Sequence, residues 1–412
     1  MTKIKENAVW IDEHLAQALR SKITDESEEG YFVYHLDQLQ QHLMQLQQQD
    51  VIKLWYAVKA NPLSHIIKTL DQANFNFDVA STGELTQVLA QGIPANRILN
   101  TGPAKSKRQL YEFLQQGVDT FVIESLNQLI WLNEVAEALQ RKPQVLLRVQ
   151  LQWQTGEKNP LGGNSITPFG LSPHVWESIN LADYNALAIC GLHIFQWGNM
   201  LSNEKMYHLW SQMLPPLKQL AKKLNMPFKI LDLGGGLGLD YDQQKLSLLW
   251  QKVVADLTLI KQQAGVDELW LELGRYAVGE CGYYITEVVD RKTNYHHQQL
   301  VLAAGINHLI RPAITEQAFP AKALSQLNTD KSRLIPFHLH GPLCTSLDNL
   351  GELLLPEDIE VGEQIIFAYC GAYGFTESMP FFLCHNMAAE YVYQQGKLTQ
   401  VRASQSASSY LR

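Results

Sequence analysis

The sequence predicts an α/β protein: a (β/α)8 TIM-type barrel over residues 36–283, followed by an all-β domain over residues 284–412. Three observations predict it. Short apolar runs alternate with amphipathic stretches eight times over roughly 240 residues, the size of one closed barrel. From about residue 284 strand-like segments follow one another with no long helix between them. A chain of 412 residues also exceeds one ordinary domain, so one large and one smaller domain are expected.

In chain order, residues 1–35 form an N-terminal segment expected to join the β domain. The Gln-rich patch QLQQHLMQLQQQ (38–49) keeps Leu39, Leu43 and Leu46 at helical spacing and reads as an amphipathic helix with a solvated face. The barrel strands are expected at KLWYAVK (53–59), FDVAS (77–81), RILN (97–100), TFVIES (120–125), QVLLRVQ (144–150), CGLHIF (190–195), FKILDLG (228–234) and LWLELG (269–274). Segments such as SHIIKTLDQ and LNQLIWLNEVAEAL supply the helices between them. A doubly wound open sheet is the rival arrangement, but eight units favour closure. YYITEVVDRK, HQQLVLAAG, RLIPFHLHG and EQIIFAYCGAY are the strands of the second domain, and residues 403–412 look frayed.

Apolar residues at 46% and charged residues at 18% describe a folded chain. The net charge is -8 with no basic run, which argues against nucleic acid as a partner, because phosphate binding needs clustered Lys and Arg. The N-terminus lacks an uninterrupted apolar core, and no apolar stretch reaches about 18 residues, so neither a signal peptide nor a membrane span is expected. Five cysteines (Cys190, Cys281, Cys344, Cys370 and Cys384) with no CxxC spacing fit free thiols in the cytoplasm and no metal site.

Barrels of this kind place chemistry at the C-terminal ends of their strands. Those ends carry Lys59, Asp78, Arg148, His193, the loop GGGLG (234–238), Glu272 and Arg275. A lysine closing a hydrophobic strand is expected to be partly desolvated, which suits Schiff-base chemistry; read alone it is a solvated strand-end lysine. Glycines directly after a strand can cradle a phosphate with backbone N–H groups, or simply make a tight turn. Glu272, ending an apolar strand, needs a partner: Arg275 is the structural candidate, a protonated ring nitrogen the functional one. His193 is either a satisfied interior histidine or a ring stacked on an aromatic cofactor.

YAVKANP (56–62), FDVASTGEL (77–85), NTGPAKS (100–106), LDLGGGLG (231–238), ELGRY (272–276), GINHLIRPA (305–313), HGPLCTSLD (340–348) and CGAYG (370–374) follow one another in one order. In that order they resemble the fold-type III pyridoxal-5′-phosphate (PLP) decarboxylases, the group of diaminopimelate and ornithine decarboxylases. The resemblance implies an alanine-racemase-like barrel, a C-terminal β domain, and a head-to-tail homodimer with shared active sites. It also implies Lys59 as the Schiff-base lysine, His193 stacked on the cofactor, and Glu272 holding the pyridine nitrogen protonated. Gly235, Gly236, Arg275 and Tyr373 fall at the phosphate, and Asp78 and Arg148 at the lysine end of the ring. Cys344 matches the partner-contributed cysteine that protonates the product carbon.

The match departs from that family around the substrate. The acidic residue expected directly after the cysteine is Thr345. Arg311 matches an arginine that binds a distal carboxylate, but its expected tyrosine companion is Thr315, and an expected phosphate-side serine is Gln196. A cationic distal group without a counter-charge is costly to bury, so a free distal ammonium is disfavoured. With Tyr373, Arg311 and Thr345 form the expected substrate contacts. HIFQWGN (193–199) and EKNPLGGNSITPFG (157–170) are similar to the branch serving carboxylate-siderophore biosynthesis, implying a citryl-diamino acid or serine amide substrate. The alternatives are meso-diaminopimelate decarboxylation, a racemase, disfavoured by Glu272, and a catalytically silent regulatory homologue.

Overall fold

The computed structural model describes residues 11–22, 28–153, 167–242, 248–327 and 332–412. The chain forms two compact units, one of His42–Leu239 with Ser247–Tyr276, the other of Met1–Gln41 with Asp240–Leu246 and Ala277–Arg412. Helix Glu13–Arg20 and strand β1 (Gly30–His35) come first. Helix Leu36–Leu46 follows, burying Leu39, Leu43 and Leu46 on the face that the Gln-rich pattern implied.

The eight expected runs form β2 (Ile52–Ala57), β3 (Asn76–Val79), β4 (Ile98–Asn100), β5 (Thr120–Ile123), β6 (Gln144–Arg148), β7 (Ala188–His193), β8 (Ile230–Asp232) and β9 (Glu268–Leu273). They pair in parallel and in sequence, and β2 closes on β9 with Trp55 opposite Glu272, so the closed barrel rather than the open sheet is what the chain adopts. Serine caps mark several strand-to-helix turns. Ser81, Ser106 and Ser125 accept the N–H groups of Glu84, Gln109 and Gln128, which starts each helix just above its strand.

Strand side chains alternate between faces, so residues two apart share one face. Trp55, Leu99, Val122, Leu146, Cys190, Ile230 and Trp270 form one buried apolar cluster. Two residues further along the same strands stand Glu124, Arg148, Asp232 and Glu272, all buried. On β5, β6, β8 and β9 an apolar residue thus lies below a polar one, whereas Ala57 on β2 and Leu192 on β7 keep that position apolar. Trp55 and Trp270 meet with ring centroids 4.8 Å apart at the lower level.

The second unit is built on a sheet in the order β14-β13-β11-β10-β1-β17-β18, with β12 and β15 off that path. Its strands are β10 (Gly282–Asn294), β11 (His297–Leu302), β12 (Ala321–Ala323), β13 (Leu334–His340), β14 (Asn349–Pro356), β15 (Gln364–Phe367), β17 (Ala389–Gln394) and β18 (Lys397–Arg402), with β16 (Asn386–Met387) set apart. The segments expected as strands here are strands. β10 pairs with β1 and β15 through its first half and with β11 from Val288 onward, with a register shift between Val288 and Asp290. Such a bulge bends one long strand so that it serves two partners. β1 runs antiparallel to β10 and parallel to β17, which places the chain's early residues inside this sheet. Residues 403–412 are not frayed: β19 (Gln405–Ser406) pairs with β16, and Ala407 is buried.

Candidate active site

The upper level of the barrel concentrates buried charge. Asp78, at the end of β3, accepts a hydrogen bond from Thr101 Oγ1 at 2.5 Å. Arg148, closing β6, donates from Nη1 to Glu124 Oε1 at 3.0 Å, and Glu124 Oε2 accepts the N–H of Gly170 at 3.2 Å. The guanidinium lies 4.5 Å over the Phe169 ring, and Lys105 Nζ stands 3.8 Å from the same Glu124 carboxylate. A buried charge left alone is costly, and this network supplies each with a counter-charge.

His193 and Glu272 meet across the barrel, Nε2 to Oε1 at 3.2 Å. Burial, followed by the Arg148 charge, holds the imidazole well below its ordinary pKa, so the ring is neutral. Its Nδ1 is buried and has no hydrogen-bond partner among the described residues. Burial raises the Glu272 carboxyl, while Lys59 and Arg148 pull it back. Asp232, fully buried beside it, is pushed well above the carboxylate range by burial and then by the Glu272 charge. Asp78 is pushed up to about 7, again by burial first and the Glu272 charge second, with Lys59 opposing. Three carboxyls at this level therefore share protons rather than all ionising. His193, Asp232 and Glu272 bring ligating atoms within 4.8 Å of one another.

Lys59 departs from its expectation. It is exposed, not partly desolvated, because β2 ends at Ala57 and the turn Val58–Ala60 carries it beyond the last paired residue. Its charge is nevertheless felt by Asp78, Glu272 and Glu84.

The glycine loop is locked between two segments. Asp232 Oδ1 accepts the Gly234 N–H at 2.8 Å, and Gly234 O accepts the Glu272 N–H at 2.6 Å. A Cβ on Gly235 would stand 2.4 Å from Glu272 O, and one on Gly236, at φ +111°, would stand 2.5 Å from Trp197 O. No other residue fits either position. Arg275 opens the helix directly after the β9 end. Gln196 is buried and clasps Leu151, donating to its carbonyl at 2.7 Å and accepting its N–H at 3.0 Å.

Of the expected site residues, Lys59, Asp78, Arg148, His193, Gly235, Gly236, Glu272 and Arg275 belong to the barrel unit. Arg311, Cys344, Thr345 and Tyr373 belong to the other. There the Arg311 guanidinium lies 4.6 Å over the Tyr373 ring, and Tyr373 itself sits at φ +56°. Cys344 is exposed on a tight turn, where the Thr345 N–H donates to Leu343 O at 2.7 Å and the Thr345 hydroxyl accepts the Leu347 N–H at 3.2 Å. Asp348 anchors that turn by accepting the Leu343 and Ile306 N–H groups, each at 2.8 Å.

Glu124, Asp232, Lys105 and Thr101 were missed by sequence reasoning. The strand phase carried a signal for two of them, since Glu124 follows Val122 and Asp232 follows Ile230 at the spacing of one face.

Comparison with known proteins gives this arrangement a family. Residues 36–279 match the family described as pyridoxal-dependent decarboxylase, pyridoxal binding domain. The chain belongs to that family. A Staphylococcus aureus relative, 2-[(L-alanin-3-ylcarbamoyl)methyl]-2-hydroxybutanedioate decarboxylase, is 29% identical over 86% of this chain and 92% of its own length. Diaminopimelate decarboxylase of Aquifex aeolicus is 27% identical over 84% of this chain and 82% of its own. The crystal structure of diaminopimelate decarboxylase from Helicobacter pylori complexed with L-lysine superimposes with a TM-score of 0.83, at 21% identity, over 96% of this chain and 98% of that one; it shares the fold.

The protein is therefore a PLP-dependent amino-acid decarboxylase, and its barrel fits that cofactor. A neutral buried His193 with an unpartnered Nδ1, an amine at Lys59 and a buried carboxyl at Glu272, beside a glycine turn that admits no side chain, are groups that suit such a cofactor. Among the described residues no helix is long and apolar enough to cross a membrane.

Proposed function

We propose that this decarboxylase removes carbon dioxide from an α-amino acid whose distal nitrogen is acylated by a hydroxy-polycarboxylate. A siderophore precursor of the citryl-diamino acid type fits this description. Thr345 carries the reading. It is uncharged, and its hydroxyl is engaged by the Leu347 N–H, so nothing at that position offsets a distal ammonium. The substrate name of the Staphylococcus aureus relative describes such a molecule, an alanine whose third carbon bears an acylated nitrogen on a 2-hydroxybutanedioate frame.

In this reading Lys59 holds the cofactor, Gly235, Gly236, Arg275 and Tyr373 its phosphate, and Asp78 and Arg148 the lysine end of its ring. His193 packs on the ring face as a neutral group. Bound PLP supplies an electron sink for the bond pair released when the carboxylate departs. Glu272 keeps a proton on the ring nitrogen, which its burial beside Asp232 favours. Arg311 takes a distal carboxylate of the substrate. Cys344 Sγ delivers the proton that replaces carbon dioxide on the substrate carbon, reaching the site of a partner copy. The exposed apolar group of Phe381, Phe382, Leu383, Tyr410 and Leu411 supports a homodimer with shared sites. The reading includes a cytoplasmic location and a division into residues 1–35 with 284–412 as the β domain and 36–283 as the barrel.

Release of carbon dioxide from citryl-diamino acids, measured beside meso-diaminopimelate, tests the proposal. Turnover of meso-diaminopimelate alone would sink it and leave the lysine-forming reaction, which the Arg311 position and the Aquifex aeolicus relative favour as the second reading.

A further inference from the structure

Arg311 does not stand alone against an incoming carboxylate. Glu377, at the end of the short turn Phe375–Glu377, faces it, Nε to Oε2 at 2.8 Å, while Nη2 donates to Oε1 at 3.2 Å. The carboxylate thus takes one edge of the guanidinium fork, and the Tyr373 ring 4.6 Å away holds the plane of that fork. Both partners are half-buried, with side-chain exposures of 19% and 33%, so the pair is partly desolvated yet reachable. Its two segments are tied together. The Met379 N–H donates to Ile306 O at 3.1 Å, and the Ser378 hydroxyl contacts both His308 O and Gly374 O. Thr315, the neutral neighbour of Arg311, turns its hydroxyl back onto Arg311 O at 2.7 Å.

This pair changes what the position recognises. Arg311 and Glu377 together carry no net charge, so a bare distal carboxylate meets a guanidinium already neutralised and a like charge beside it. An α-hydroxycarboxylate offsets part of that conflict: its carboxylate takes the Nη1 side of the fork, and its hydroxyl donates to Glu377. We propose that Glu377 is a specificity-determining residue that, paired with Arg311, reads a hydroxyl next to a carboxylate at the distal end of the substrate. This rests on the reading of Arg311 as a substrate contact and adds to it the selection of hydroxylated over deoxy polycarboxylates. A site built to bond a hydroxyl discriminates strongly against the analogue that lacks it, because its acceptor is left unpaired.

The test compares the holoenzyme with E377A and E377Q on a citryl-diamino acid and on its deoxy, tricarballylyl counterpart, with calorimetric binding of free citrate and tricarballylate alongside. Wild type is expected to favour the hydroxylated substrate by about 10- to 100-fold in kcat/KM, expressed mainly in KM, since Glu377 is solvent-reachable. E377A brings that ratio to within about threefold by removing the acceptor, and E377Q, which keeps a carbonyl acceptor, retains part of it. An unchanged ratio in E377A, or no preference in wild type, overturns the proposal. Should neither citryl compound turn over, the substrate reading fails by itself. Citrate binding then decides the Glu377 question: a preference over tricarballylate that disappears in E377A upholds it, and its persistence or absence overturns it. Should E377A fold poorly, judged by its visible cofactor band and melting curve, E377Q and the binding assay carry the same decision.

Discussion

The two ends of the barrel are made from the same strands and differ in nearly everything else. At the lower level Trp55 and Trp270 meet with their rings tilted by 48° under Lys53, whose ammonium lies 5.1 and 4.8 Å over them. Glu268 accepts the Trp270 indole N–H at 2.8 Å and pairs with Lys53 at 3.8 Å where both are open to water. At the upper level the same strand faces carry Glu124, Arg148, Asp232 and Glu272, buried and mutually dependent. The lower end therefore gains stability from apolar area and leaves its charges hydrated. The upper end gathers desolvated charge that costs stability and confers reactivity. A two-residue step along a strand separates these regimes.

Substitutions at the two ends should separate accordingly, and Lys59→Ala is expected to have the largest effect. It should lower decarboxylation by on the order of 10⁴-fold or more and remove the visible cofactor band, because the proposed covalent anchor is gone. Stability of the cofactor-free chain should stay within about 0.5 kcal/mol, because the side chain is exposed. Equal losses in both measurements would break the distinction. Trp270→Ala should do the reverse, costing about 3–5 kcal/mol in urea unfolding while kcat of the folded fraction falls less than about tenfold.

Asp78→Asn sharpens the contrast through pH. The native carboxyl titrates near 7, above its unfolded value, so the native state holds the extra proton and stability falls as pH rises between about 4 and 7. The variant lacks that loss. Its cofactor-free form should exceed wild type in stability by on the order of a few kcal/mol at pH 8 and match it near pH 4, while activity drops. Unfolding curves at both pH values check this; an equal advantage at both would mean the effect is not protonation. Lys53→Gln, at the hydrated end, should change stability by less than about 0.5 kcal/mol, a shift that added salt erases.

Much of the barrel is legible in the sequence. A short apolar run, eight times repeated with amphipathic stretches between, is a local signal, and each expected run became a strand. The polar residues that end those runs were visible for the same reason. The partnerships were not. Glu124 binds an arginine 24 residues away and Glu377 one 66 residues away, and no local spacing encodes either contact. Lys59 shows the limit from the other side: its strand was identified, but the turn that lifts it into solvent was not.

The sequence by itself determined the closed barrel, the strand-rich second domain and the end of the barrel where charge would gather, because hydrophobic patterning acts over a few residues. Only the tertiary structure decided which charges answer one another. Burial and Coulomb interaction depend on distances in space, and it is those distances that couple Asp232 to Glu272 and place a carboxylate in front of Arg311.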